Sequence, residues 1–226
     1  MHEPTSTVAT RPESYLFVPG ARPDRFEKAI ASAADRVIID LEDAVEPAEK
    51  QQARDAIRAA LAAGLEAPVL VRINAQDSPW FEDDLRMLSE VQAAHPGVLA
   101  GVVLPKIESV DAAKRVRAAF GDAAHLMEFI GLIESALGVV SLVEIARSGV
   151  TRLGVGAVDL SVDLYSEVQS PTVDYVYAQV VIASRVAGIE PPIGSPPLEI
   201  HDAAGIEARA RSLKAMGIAG QRCIHP

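Results

Sequence analysis

The sequence predicts a closed parallel (β/α)8 barrel, the TIM-barrel class of α/β fold, on three observations. Eight short runs rich in Val, Ile and Leu alternate with seven stretches of helical period along the 226 residues. The polar residues of most of these runs collect at their late ends, where such barrels carry their chemistry. Aromatic residues make up only 4% of a chain that is 49% hydrophobic, so aliphatic side chains must fill the core, as a parallel sheet wrapped in helices requires. A doubly wound open sheet is the competing arrangement, but it would carry a Gly-rich phosphate turn after an early strand, and none is present. No linker or composition shift divides the chain. One barrel domain over residues 14–226 follows, behind a flexible polar tail at 1–13 that holds two prolines.

Each element has a local reason. The first strand, 15–20, ends in Pro19-Gly20, and Pro23 suits the first turn of the helix that follows. The second, 36–43, runs from apolar residues into Asp40, Glu42 and Asp43; Pro47 then opens a helix over 48–63 that Gly64 closes. The third strand, 68–74, carries Arg72 and Asn74 late, and the helix over 80–94 shows apolar positions at Leu85, Leu88 and Val91. The fourth, 101–108, ends in Lys106 and Glu108, with Ser109 capping the next helix. The fifth, 126–134, delivers Glu134 ahead of a helix over 137–148, and the sixth, 152–159, delivers Asp159 in the same way. A loop, a helix over 172–187, a short strand at 188–193, a helix over 202–216 and a last strand at 220–226 complete the pattern. No eighth helix follows Pro226, so the expectation is a flank near Val18, Ile38 and Ile224 that is partly uncovered.

Composition narrows the function classes. A formal net charge of -10 argues against nucleic acid as the main partner. A single Cys223 excludes an internal disulfide and any Cys-based metal cluster. No run of eighteen apolar residues or apolar signal core is present. The expectation is a cytoplasmic protein that acts on small molecules, with no membrane partner.

The chemistry centres on Glu134 and Asp159. Two carboxylates on the ends of successive strands suit one hard divalent cation, because Mg2+ is commonly held by one or two protein carboxylates and keeps positions for water and substrate; Mn2+ is the substitute. A guanidinium at Arg72 would bind a carboxylate bidentately beside that ion. Asp40, Glu42 and Asp43 either orient Arg72 and metal-bound water or simply sit at a helix N-terminus. Lys106 pairs with these acids or touches substrate; a Schiff-base lysine is a rival chemistry that the paired carboxylates make redundant. Arg22, Arg25 and Lys28 flank the first helix, where they would either grip an anionic ligand or stay solvated. Asp163, four residues after Asp159, falls on the following loop, and His225 reads as structural.

Six stretches then occur in the order of the citrate lyase beta-subunit-like proteins: Ser14-Tyr-Leu-Phe-Val-Pro-Gly20, Asp40-Leu-Glu-Asp-Ala-Val45, Val71-Arg-Ile-Asn74, Leu104-Pro-Lys-Ile-Glu108, Leu132-Ile-Glu-Ser-Ala136 with Gly138, and Cys223-Ile-His-Pro226. From about residue 14 to the last, the chain resembles this branch of the HpcH/HpaI aldolase superfamily of Mg2+-dependent carbon–carbon lyases. The resemblance implies a barrel, a homotrimer or higher homo-oligomer, and short acyl-CoA or 2-oxo acid substrates such as oxaloacetate. By motif position it implies Glu134 and Asp159 as metal ligands and Arg72 as the group that holds the oxo-acid end. Gly156-Ala-Val158-Asp159-Leu160 stands where the family has an acidic residue and Phe around the second ligand. For the C-terminal lid found in relatives of malyl-CoA lyase, the resemblance leads to the expectation that it is lost, disordered or supplied by a neighbour here.

The expected activity is therefore cleavage or formation of a 3-hydroxyacyl-CoA thioester such as citryl-, malyl- or citramalyl-CoA. Catalysis falls to Arg72, Glu42 and Asp40, and substrate binding to Arg72, Arg22, Lys28 and Lys106. Two alternatives stay open: a metal-dependent pyruvate-type aldolase on free 2-oxo acids, and a non-catalytic oxo-acid-binding homologue.

Overall fold

The computed structural model describes residues 11–225. Eight parallel strands close a barrel in sequence order: β1 (Ser14–Pro19), β2 (Arg36–Asp40), β3 (Val69–Arg72), β4 (Leu99–Leu104), β5 (Glu128–Ile133), β6 (Arg152–Val155), β7 (Glu190–Gly194) and β8 (Gly220–Cys223). The helices between them are α1 (Phe26–Ile30), α2 (Lys50–Ala63), α3 (Phe81–Ala94), α4 (Val110–Ala119), α5 (Ala136–Val140), α6 (Leu142–Ala146), α7 (Ala157–Asp163), α8 (Pro171–Ala187) and α9 (Ala203–Ala215).

Strand periodicity explains where the site lies. Side chains two residues apart share a face. Tyr15, Ile38, Leu70, Leu132 and Ile193 belong to the cluster that fills the barrel, whereas Val37, Ile39, Val71 and Ile133 pack outward against the helices. One step of two residues up from the interior set come Phe17, Asp40, Arg72, Glu134 and Ser195. All five line one cavity at the C-terminal mouth. Register holds them level, with Pro19 opposite Asp40 and Asp40 opposite Arg72. Both faces of each strand are covered, which is why the apolar runs read as continuous rather than alternating.

The N-terminal end of the barrel is closed by charge as well as by packing. Arg152, 1% exposed, lies 3.9 Å from Glu128 and 3.8 Å from Glu190, with its guanidinium over the Tyr15 ring. Tyr15 donates its hydroxyl to Glu128 at 2.8 Å; burial first and the Glu128 charge second raise its pKa.

Several expectations change. Residues 1–10 of the predicted tail lie outside the described residues; Pro12 and Glu13 are hydrogen-bonded to Arg152 and to the backbone of Gln221. Val18 and Ile38, expected on an uncovered flank, are 3% and 0% exposed, because Ile38 points into the barrel and Val18 packs in the layer between sheet and helices. Ile224 is half exposed. The fourth strand stops at Leu104, before Pro105, and Lys106 turns the chain with φ +47°. The single helix expected over 137–148 breaks at Ser141 into α5 and α6. The sixth strand ends at Val155, and the apolar residues that seemed to extend it begin α7. Capping by Ser109 and termination at Gly64 hold as read.

One buried node fixes the exit of β3. Asp84 on α3 is fully buried and accepts the backbone N–H and side-chain amide of Asn74 at 2.9 and 2.6 Å. It also pairs with Arg54 of α2 at 3.1 Å. Replacing Asp84 by Ala strands a buried guanidinium and should cost about 3–5 kcal/mol, the usual penalty for breaking a buried ion pair from one side. Urea unfolding measures this; a loss below about 1 kcal/mol, the level of an exposed pair, would remove Asp84 from that role.

Candidate active site at the barrel mouth

The site is built on the loop after β2. Asp40 is 1% exposed and turns the chain by accepting the N–H groups of Glu42 and Ala44 at 2.9 and 3.0 Å. Lys50, at the start of α2, reaches back to donate to the carbonyls of Leu41 and Glu42 at 2.6 and 2.7 Å. Its ammonium sits over the Trp80 ring, 5.1 Å from the centroid, so the loop is clamped from both sides.

Onto this loop β3 delivers Arg72. Its Nε and Nη2 meet the two oxygens of Asp40 at 2.7 Å each, the fork geometry that guanidinium and carboxylate share. Nη1 lies 2.7 Å from Glu42 and 3.2 Å from Asp43. Desolvation works against the charge on Arg72, but Asp40, then Glu42 and Asp43, raise its pKa overall. Glu42 behaves differently. Burial dominates and lifts its pKa to about 7, against the opposing pull of Arg72 and Lys106.

Glu134 follows β5 and is 6% exposed. The backbone N–H of Lys106 donates to its Oε2 at 2.9 Å, an approach that the left-handed backbone at Lys106 permits. Space for the carboxylate comes from Gly156: a Cβ there would stand 2.1 Å from Glu134 Oε1. Burial raises the Glu134 pKa, and the charges of Arg222 and Arg72 oppose that rise. Asp159 does not end a strand; it sits in the first turn of α7, with its side chain 40% exposed. The N-terminus of α7 is pinned by Ser195, whose Oγ accepts the Ala157 N–H at 3.0 Å. At its other end Asp163 accepts the Ala136 N–H at 2.6 Å, which ties α7 to the turn after Glu134. Lys106 bridges the two halves, with Nζ 3.0 Å from Glu42 and 3.3 Å from Asp159. Desolvation lowers its pKa, but the hydrogen bond and charge of Glu42, with Asp159, outweigh that and raise it.

The cavity above the barrel core measures about 360 Å3 and is lined by Asp40, Asp43, Arg72, Glu134, Asp159 and Arg222 among others. Four carboxylates face two guanidiniums, which leaves two formal negative charges unmatched. Glu42 and Lys106 stand behind this wall as a neutral pair. A divalent cation fits that balance, and two carboxylates are a normal protein share for Mg2+. No group of three or more His, Cys, Asp or Glu among the described residues has metal-holding geometry.

Of the residues singled out in the sequence, Asp40, Glu42, Arg72, Lys106, Glu134 and Asp159 converge here. Arg22 and Lys28 do not line the cavity; both are exposed on the segment after β1, and Arg22 is paired with Asp24 at 2.7 Å. Sequence reasoning missed Arg222, which is 2% exposed on β8 and donates to the carbonyls of Gly194 and Val155. The alternation Gly220, Arg222, Ile224, set against a strand direction, was the available signal.

The chain as a whole is similar to known proteins. Residues 13–226 match the model of the HpcH/HpaI aldolase/citrate lyase family. A citrate lyase subunit beta-like protein of Deinococcus radiodurans is 34% identical over 222 residues, covering 94% of this chain and 75% of the relative. An L-malyl-CoA/beta-methylmalyl-CoA lyase of Cereibacter sphaeroides is 31% identical over 242 residues, covering 93% and 74%. The citrate lyase beta subunit of M. tuberculosis, solved with oxaloacetate and magnesium, superposes with a TM-score of 0.78 at 32% identity over 95% of this chain and 92% of that one.

The raised pKa of Glu42 carries a sign for stability. A carboxyl whose folded pKa lies above its unfolded value of 4.5 favours folding below that value, and the benefit is lost as pH climbs to about 7. In the metal-free protein, Glu42→Gln should therefore gain stability relative to wild type between pH 5 and 8, by about 2–3 kcal/mol at the upper end. Denaturant midpoints across that range measure it; a difference that does not grow with pH would mean that Glu42 ionises normally.

Proposed function

The chain belongs to the HpcH/HpaI aldolase/citrate lyase family, and from that premise we propose that it is a Mg2+-dependent carbon–carbon lyase acting on a 3-hydroxyacyl-CoA thioester of the citryl-, malyl- or citramalyl-CoA class. The observation that carries this reading is the cavity itself: Glu134 and Asp159 share it with Arg72, and it holds two unmatched negative charges. Names of relatives that act on malyl-CoA or bind oxaloacetate and magnesium support it.

Glu134 and Asp159 would hold the cation. When bound, it supplies a Lewis acid that takes up charge on the oxo or hydroxyl oxygen of the substrate. Arg72 binds the carboxylate beside that oxygen. Asp40 keeps Nε and one edge of the guanidinium, while Asp43, 59% exposed, is the partner that a substrate carboxylate displaces from Nη1. Lys106 cannot pair closely with Asp159 when a divalent cation is there, so its ammonium falls to Glu42. Glu42, behind the cavity wall and lifted by burial to a pKa of about 7, is the member of the cluster that would take up the hydroxyl proton through a bridging water. Cleavage then yields a 2-oxo acid and a thioester enolate, with positive charge from Arg72 beside the developing anion. Arg22 and Lys28, exposed on the segment after β1, would be the cations offered to a CoA phosphate, Arg22 by exchanging its pair with Asp24. Assembly as a homotrimer belongs to the same reading, and light scattering at several concentrations tests it.

Two substitutions test the site. Glu134→Gln should weaken Mg2+ binding at least tenfold, about 1.4 kcal/mol, with the circular dichroism spectrum unchanged. Arg72→Lys keeps the charge but loses the two-toothed hold of Asp40 that aims Nη1 at the substrate, so affinity for a 2-oxo acid should also fall at least tenfold. Calorimetry reads both. Turnover of free aldehyde and pyruvate without CoA would replace the thioester by an aldol substrate; Mg2+ binding untouched by Glu134→Gln would remove the site altogether.

A further inference from the structure

Arg222 is not explained by the roles above. It is 2% exposed, yet no carboxylate oxygen comes within the 4.0 Å of an ion pair among the described residues. Nε and Nη2 are spent on the carbonyls of Gly194 and Val155, which holds the ends of β6 and β7 to β8. That strut accounts for two of its three nitrogens. Nη1 has no hydrogen-bond partner among the described residues, and Arg222 lines the cavity that Glu134 and Arg72 share. Nη1 is not sealed in the core but reachable from that cavity, so a ligand can take up its donor.

The other cations of the mouth are already engaged. Arg72 is surrounded by Asp40, Glu42 and Asp43, and Lys106 spans Glu42 and Asp159. Arg222 acts on Glu134 only through space, with no carboxylate at ion-pair distance among the described residues. We infer that Arg222 anchors a second carboxylate of the substrate, so that the site selects dicarboxylic 2-oxo acids over monocarboxylic ones of equal length. This rests on the reading in which Glu134, Asp159 and Arg72 hold the 2-oxo carboxylate end. The remaining donor of Arg222, Nη1, is at no ion-pair distance from Glu134 or Asp159 and suits one oxygen of an anionic group, for which a carboxylate is the matching chemistry.

The test compares oxaloacetate with 2-oxobutyrate, which has the same carbon skeleton length without the second carboxylate. Calorimetry with freshly dissolved acids and saturating Mg2+ should show wild type preferring oxaloacetate at least tenfold. Arg222→Gln should abolish that preference by weakening oxaloacetate tenfold or more, while 2-oxobutyrate affinity at saturating Mg2+ changes less than threefold. Arg222→Lys should recover part of the preference, because the charge returns without the fork. Equal losses for both acids would show a strut and overturn the inference, as would unchanged oxaloacetate binding. If the variants fail to fold, the wild-type preference and a crystal structure with oxaloacetate decide: the distal carboxylate must lie within hydrogen-bond distance of Arg222. Mg2+-dependent binding of both acids without preference sinks this inference and leaves the lyase reading standing. Absence of Mg2+-dependent binding sinks both.

Discussion

The pairing of Asp40 with Arg72 is the constraint on which the mouth of this barrel depends. Asp40 faces three ways at once: into two backbone N–H groups of its own loop and onto the guanidinium of the next strand. The loop therefore takes its shape from the same carboxylate that aims Arg72. Removing either partner would leave the other charge buried, and the desolvation penalty would fall on the loop that presents Glu42 and Asp43. Lys50 reinforces this from behind by satisfying two carbonyls that the turn leaves without strand partners.

A second constraint runs around the opposite side of the mouth. Glu134 is held by a backbone donor from the β4 exit and given room by a glycine at the β6 exit. Ser195 at the β7 exit then fixes the start of the helix that carries Asp159. Four successive strand ends thus take part in placing two carboxylates. The barrel interior below is apolar and tightly filled, so charges at its rim have a rigid floor and a low-dielectric side. That is why burial dominates the pKa values of both Glu42 and Glu134.

Much of this was legible in the chain because the signal was binary. A strand buried on both faces reads as an apolar run, and a polar residue at its end has only the mouth or the helix layer to face. Asp40, Arg72 and Glu134 satisfy that rule and were found by it. The helix holding Asp159 escaped notice because Val155, Ala157 and Val158 continue the apolar run of β6, and only the turn at Gly156 separates strand from helix. Arg222 escaped for the opposite reason. It lies in Gly220-Gln-Arg-Cys223, which lacks the apolar context that marks a strand interior, and its direction depends on the register of β8 against β7. The uncovered flank expected near Val18 and Ile38 failed because Ile38 points into the barrel and Val18 is covered in the layer between sheet and helices.

The manner in which residue 106 touches its neighbours separates two kinds of heritable change. Its main chain serves Glu134, and its side chain serves Glu42 and Asp159. Substitutions that tolerate a left-handed backbone there, glycine or asparagine above all, would alter the charge between the two halves of the mouth while sparing the support of Glu134. A β-branched residue would disturb both. Lineages descended from such a chain are therefore free to retune the electrostatics at this position by point mutation without first rebuilding the carboxylate beneath it, and drift at 106 should run through a narrow set of residue types.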